Sequence, residues 1–177
     1  MKIVYIHQHF MTNRGSSGTR SYDVSKHMVQ AGHQVCMISG IYDTSGLEPM
    51  PWYKPFRREI VDGIELTVCN VVSSNKFSTV KRTIGYLWFA VLATIAAIRI
   101  NKPDLIFATS TPLTVGIPGY IAARCKRVPF VFEVRDIWPE SFIRSGWVTG
   151  KEFSIRLMGA LEKFIYNHAV KILLVSP

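Results

Sequence analysis

The chain has 177 residues, 48% of them hydrophobic. A chain of this size buries about 70% of the surface its unfolded form exposes, which is enough for one self-sufficient core. Its 21 Lys and Arg against 12 Asp and Glu leave a net charge of +9, which favours contact with phosphate, nucleic acid or anionic lipid without choosing among them. Cys36, Cys69 and Cys125 lie far apart and lack metal-ligand spacing. They read as reduced core thiols of a cytoplasmic protein, which argues against a disulfide framework or a zinc site.

The opening MKIVYIHQHF has neither the apolar length nor the cleavage site of a secretory signal and reads as a first strand. Five more apolar runs follow: QVCMIS (34–39), IELTVC (64–69), DLIFAT (104–109), FVFEV (130–134) and KILLVS (171–176). Their continuous apolar character is what parallel strands covered on both faces require. The expected fold class is therefore α/β: a Rossmann-like, doubly wound, mostly parallel sheet of about six or seven strands.

Between the first two strands, Val24, Met28 and Ala31 keep helical spacing, and Gly32 stands at the C-terminal cap. Residues 40–63 interrupt the alternation, then REIV-DG-IELTV predicts a hairpin with Asp62-Gly63 at its turn. A second helix is expected over 78–99. Its uncharged stretch, Thr83 to Ile98, falls short of the roughly 18–20 residues that span a bilayer, so it reads as buried or interfacial. Thr111-Pro112 reads as an N-cap and first helical position opening a third helix toward Arg124, with a kink at Pro118. The fourth helix, about 151–167, has Leu157, Met158, Leu161, Phe164 and Ile165 on its apolar face. No repeat or linker divides the chain, so residues 1–177 read as one domain. It stops directly after an apolar strand, which leaves two readings: a fold that needs no more, or a second domain outside this chain.

Two segments carry candidate chemistry. In HFMTNRGSSGTRSYDVSKHM (9–28), Gly15, Ser16, Ser17, Gly18, Thr19 and Arg20 fall between the first strand and the first helix. Glycines there permit positive φ and close backbone approach, and a helix N-terminus favours an anion, so phosphate is the expected guest. The competing reading is a flexible βα turn. Neither the dinucleotide fingerprint nor the P-loop pattern is present. After the fifth strand, FEVRDIWPESFIRSGW (132–147) places Glu133, Arg135, Asp136 and Glu140 at the same carboxyl edge. These charges form either internal ion pairs or a site. His7 is expected to line the cleft; His7 and His9 lack a third ligand nearby, which argues against a metal. Ser110 and Thr111 either cap the third helix or touch a ligand. Lys76, Lys81 and Arg82 precede Tyr86, Leu87, Trp88 and Phe89, a basic-then-aromatic order that suits an anionic membrane surface, with a wholly buried helix as the alternative. Nucleic-acid binding rests on net charge alone, because the basic residues are scattered and no recognition motif occurs.

KIVYIHQHF, the RGSSGTRSYDVSKHM loop and helix, AGHQVCMISG, VDGIELTV, KPDLIFATSTPLTVGIPG, VPFVFEVRDIWPES and LEKFIYNHAVKILLVSP follow one another in this order. Together they resemble the N-terminal domain of family 4 glycosyltransferases of the GT-B architecture, in the branch of O-antigen and capsule enzymes such as fucosamine transferases. The resemblance covers essentially the whole chain and implies one half of a two-domain enzyme. This half holds the acceptor, and a C-terminal donor-binding domain is not present in the chain. It implies retaining transfer from a nucleotide-diphosphate sugar, with no other cofactor, to a glycan or polyprenyl-diphosphate-linked sugar, in surface polysaccharide synthesis.

By the same resemblance, residues 15–20 approach the donor diphosphate and acceptor, Asp136 and Arg135 are the catalytic candidates, and His7, Ser110, Thr111, Glu133 and Glu140 line the acceptor side. No metal is implied, and no Asp-x-Asp occurs. The sequence departs from the family in three places. Arg135-Asp136 stands where His-Asp is frequent, TNRGSSG replaces a Pro-Glu-Gly-Gly type loop, and no two glutamates have seven residues between them. The location implied is cytoplasmic, peripheral on the inner face of the plasma membrane, and the chain alone is expected to be inactive. The competing function is a stand-alone module that binds a phosphorylated ligand without turnover.

Overall fold

The computed structural model describes residues 1–16, 18–135 and 152–175. In chain order the elements are β1 (Lys2–Ile6), α1 (Arg20–Gln30), β2 (Gln34–Tyr42), β3 (Phe56–Val61), β4 (Ile64–Ser73), α2 (Thr79–Arg99), β5 (Leu105–Thr109), a 3-10 turn (Leu113–Val115), α3 (Gly116–Lys126), β6 (Phe130–Val134), α4 (Glu152–His168) and β7 (Lys171–Leu174). The strands form one sheet in the order β3-β4-β2-β1-β5-β6-β7. All pairs are parallel except the β3/β4 hairpin. This is the α/β, Rossmann-like, doubly wound sheet that the continuous apolar runs predict. The chain leaves β1 in one direction to β2 and later returns to its other side as β5, so strand order reverses at the carboxyl ends of β1 and β5, where ligands of such sheets collect.

Alternation along the strands sorts side chains between two cores. Val4, Ile6, Ile38, Ile106 and Phe132 face α2, α3 and α4, where they meet Phe89, Leu92, Ala93, Ala122 and Ile165. Ile3, Tyr5, Val35, Met37 and Phe107 face α1 and meet Tyr22. Helix α1 ends as its sequence requires. Gly32, at φ +82°, donates to the Val29 carbonyl and His33 to that of Met28, the paired bonds of a Schellman motif. The hairpin turn has φ +48° at Asp62 and +83° at Gly63, the two left-handed residues of a tight turn matched to strand twist.

Four expectations are corrected. Cys125, in the last turn of α3, is exposed, whereas Cys36 and Cys69 are core thiols. Pro112 does not open α3: the Thr111–Pro112 bond is cis, and Pro112 precedes the 3-10 turn in an extended conformation. Pro118 does not interrupt α3, because it falls in the first turn, where its missing N–H has no intrahelical partner to lose. On α4, Ile165 is buried and Met158 and Leu161 pack against the core, whereas Leu157 and Phe164 face outward. Phe164 there lies against the rings of Tyr120 and His168.

Packing between α3 and the sheet depends on a missing side chain. A Cβ on Gly119 would stand 2.5 Å from the Phe130 ring and 3.1 Å from the Ala108 Cβ. The helix-propensity gain of Gly119→Ala, about 1 kcal/mol, is outweighed by an overpacking cost of about 1–3 kcal/mol. Urea unfolding should therefore show a net loss. Gly159→Ala on α4, with nothing within 4 Å of the added carbon, should gain up to about 1 kcal/mol in the same experiment.

Candidate functional site

The polar centre of the molecule is built around one carboxylate. Glu133 comes one residue before the end of β6, on the face turned toward α1, and its side chain is only 6% exposed. A buried charge requires partners. Oε1 accepts from Arg20 Nε at 3.3 Å and Nη2 at 3.2 Å, and Oε2 accepts from Thr109 Oγ1 at 2.8 Å and Arg135 Nε at 3.4 Å. Four donors from α1, β5 and the end of β6 thus fill its lone pairs. Thr109 has one proton and gives it to the charged acceptor. Its oxygen then accepts from the Tyr5 hydroxyl at 3.1 Å, which extends the network to β1. Burial, followed by the Glu133 charge, raises the Tyr5 pKa and keeps the phenol protonated.

A second branch runs through Ser21. Arg135 Nη2 donates to Ser21 Oγ at 2.6 Å, and Ser21 Oγ lies 2.8 Å from His7 Nδ1. A guanidinium only donates, so Ser21 Oγ accepts from Arg135 and shares a second hydrogen bond with Nδ1 of His7. Burial, and then the Arg135 charge, hold the His7 pKa well below the ordinary imidazole value. Ser110 pins the backbone: its hydroxyl accepts from the Arg135 N–H at 2.9 Å and its own N–H donates to the Glu133 carbonyl at 2.9 Å. It caps no helix. Thr111 is half-buried beside it.

The Gly-rich loop is folded onto the turn after β2. Gly15 N–H donates to the Thr12 carbonyl at 3.0 Å and Ser16 N–H to the Thr44 carbonyl at 3.1 Å. A Cβ on Gly15 would fall 2.6 Å from the Thr44 oxygen, and one on Gly46, at φ +72°, would fall 2.7 Å from the Arg14 carbonyl carbon. Close backbone approach is thus the role of Gly15. The left-handed conformation that glycine permits is used at Gly46 and not at Gly15. The Gly15 and Ser16 amides are already used inside the fold. Thr19 Oγ1 donates to Asp23 Oδ2 at 2.8 Å across the first turn of α1. Arg20, paired with Glu133, keeps 49% of its side chain exposed at the mouth of the network.

His7, Arg20, Ser110, Glu133 and Arg135 therefore meet at the reversal of strand order. Gly15, Ser16, Gly18 and Thr19 belong to the adjoining loop. Ser17, Asp136 and Glu140 lie outside the described residues, as does the Trp138-Pro139 segment. His9 diverges from His7: its ring centroid lies 5.0 Å from that of Tyr42 and 6.1 Å from that of Tyr86. Burial and the Arg82 charge push its pKa down to about 4. The sequence reading missed Tyr5, Ser21 and Thr109. Their common signal is a hydroxyl on the inward face of an otherwise apolar strand or first helical turn. Gln8, fully buried at the end of β1, has a side-chain amide without a hydrogen-bond partner. His7, Ser21, Thr109, Ser110 and Glu133 are buried. A cleft of about 450 Å³ opens at the amino edge, beside Lys2, Arg58 and Arg99, and another of about 220 Å³ lies between residues 12–14 and β3.

A mostly parallel, doubly wound sheet with helices on both faces is the class of a Rossmann-like glycosyltransferase half. The model of the glycosyl transferase 4-like domain matches residues 15–177, and the chain belongs to that family. No curated protein matches the chain. Membership carries a glycosyltransferase role and, with it, binding of a sugar donor and a sugar acceptor.

Removing one member of a buried ion pair costs about 3–5 kcal/mol, whereas an exposed partner contributes about 1 kcal/mol or less. Glu133→Ala should thus destabilise the chain by about 3 kcal/mol and Arg20→Ala by no more than about 1, as read from chemical denaturation. The histidines add a pH dependence. His9 binds its proton at about 4 in the fold against 6.5 ordinarily, and His7 is shifted in the same direction. The unfolded chain therefore takes up protons first as pH falls. Their contribution should be complete above pH 6.5 and fade as pH drops toward about 4. The urea midpoint should fall across that window, and His9→Gln should flatten the fall.

Proposed function

We propose that the chain is the acceptor-side half of a retaining, nucleotide-sugar-dependent glycosyltransferase of surface polysaccharide synthesis, working at the cytoplasmic side with a glycan or polyprenyl-diphosphate-linked sugar as acceptor. A C-terminal donor-binding domain completes the enzyme. The observation that carries this reading is the charged network at the reversal of strand order in a chain of this family. Transfer with loss of a nucleoside diphosphate requires fixed charges and dipoles at the leaving phosphates and the cationic sugar. Arg20, half-exposed and oriented by Glu133, is the cation positioned for the diphosphate. Arg135 is held by Glu133, Ser21 and Ser110, and this fixes the point from which the chain continues to Asp136. Asp136 is the carboxylate proposed to stabilise the sugar or accept the hydroxyl proton.

The internal use of the Gly15 and Ser16 amides weighs against the chain being a stand-alone phosphate-binding module. The reading can be tested by measuring nucleoside diphosphate release and product formation with nucleotide sugars and polyprenyl-diphosphate-linked acceptors. In the protein joined to its donor-binding domain, Asp136→Asn should reduce turnover more than about tenfold with unfolding unchanged; near-normal turnover would remove Asp136 from the mechanism. The 177-residue chain alone should form no product, and robust transfer by it would overturn the half-enzyme reading. Tight binding of a phosphorylated ligand with no transfer by the joined protein would establish the binding module instead.

A further inference from the structure

Helix α2 is apolar on two opposite faces. Phe89, Leu92, Ala93 and Ala97 are buried against the sheet and α3. On the outer face Val80, Ile84, Leu87, Trp88, Val91, Ile95 and Ile98 recur at helical spacing and remain exposed, from 70% at Val80 to 38% at Ile98. Beyond Thr83, every exposed residue of α2 as far as Ile98 is a large apolar one. The helix contains no acidic residue. The stripe follows its full length, about 31 Å at 1.5 Å per residue. Apolar patches this continuous mark interaction surfaces.

The charges at its ends indicate what covers it. Lys76 and Lys81 are exposed where α2 begins, and Lys81 Nζ lies 3.6 Å from the Phe77 ring centroid. Arg99 is exposed where it ends, beside the cleft it shares with Lys2, Arg58 and Glu65. Arg82 is not part of this fringe: it is half-buried and donates to the Tyr86 hydroxyl at 3.0 and 3.3 Å. A second copy of the chain, itself at +9, would bring like charges together around the stripe, whereas anionic headgroups around an apolar interior complement both features.

We propose that α2 lies in the plane of an anionic lipid surface, with the stripe from Val80 to Ile98 immersed among acyl chains and Lys76, Lys81 and Arg99 at headgroup level. The helix is long and apolar enough to cross a bilayer, but its inner face belongs to the core, which leaves the in-plane orientation. Because α2 starts just beyond the carboxyl end of β4 and finishes at the amino edge, the strands lie along the surface. The edge bearing Glu133 and Arg135 then opens sideways over the lipid. This inference rests on α2 alone and needs no turnover for its test.

The experiment is co-sedimentation of the chain with vesicles of phosphatidylcholine alone or containing about one third phosphatidylglycerol, at low and high salt. Binding to the anionic vesicles should be at least about tenfold tighter than to the neutral ones and weaken in high salt. Leu87→Glu should lower it at least about tenfold, and Lys81→Glu should lower it on anionic vesicles only, both with an unchanged circular dichroism spectrum. Ile60→Gln, which removes an exposed apolar residue from β3, should leave it unchanged. Absence of vesicle binding overturns the proposal, as does binding insensitive to both Leu87→Glu and Lys81→Glu. A doubled mass in light scattering that Leu87→Glu restores to monomer, without vesicle binding, assigns the stripe to a second copy.

Discussion

An ionised carboxylate placed between a parallel sheet and the start of a helix must be matched locally, and the arrangement around Glu133 follows from that requirement. Its donors arrive from three parts of the chain: Arg20 opens α1, Thr109 closes β5, and Arg135 follows β6. Once Arg135 is turned toward Glu133 through Nε, its Nη2 reaches Ser21, and Ser21 in turn is hydrogen-bonded to Nδ1 of His7. The charge therefore fixes the first turn of α1 against the sheet and orients the groups at the reversal of strand order. Burial makes Glu133, Thr109 and Ser21 costly to leave unpaired, while Arg20 pairs from the exposed mouth of the network.

The loop before α1 meets a different constraint. A backbone amide donates effectively to one acceptor, and two of the amides in this Gly-rich stretch are bonded within the fold. Gly15 and Gly46 let the two loops approach at backbone distance. Asp62, at the hairpin turn, adds a tie by accepting from the Tyr22 hydroxyl and from Asn13 Nδ2. The loop is thus joined both to the turn after β2 and to the β3/β4 hairpin. Among the described residues of this edge, Arg20 keeps an exposed part of its side chain open to an anion.

Helix α2 shows why a helix can lack a polar side without being buried all round. Its small residues, Ala93, Ala96 and Ala97, allow close packing over the sheet, while the larger Ile, Leu, Trp and Val residues accumulate on the outside. A helix needed only to close the core would place polar residues there, as the exposed side of α1 does with Asp23, His27 and Gln30. Two apolar faces are written into one sequence segment. Periodicity alone cannot separate them, because residues facing opposite ways are equally apolar.

The sequence by itself determined the local structure. Continuous apolar runs specify parallel strands covered on both faces, the Asp62-Gly63 pair specifies a tight hairpin turn, and Gly32 after an amphipathic stretch specifies where α1 ends. Each depends on residues within a few positions of one another, so the signal is present before the chain folds. Only the tertiary structure decided that Glu133 would meet Arg20, 113 positions away, and that His7 would meet Ser21. Strand order did this by bringing β1, β5 and β6 side by side, and strand register set which faces look toward α1. Tertiary placement also left Leu157 and Phe164 facing outward. Local pattern records whether a side chain is apolar, but which neighbour it meets depends on how distant strands align.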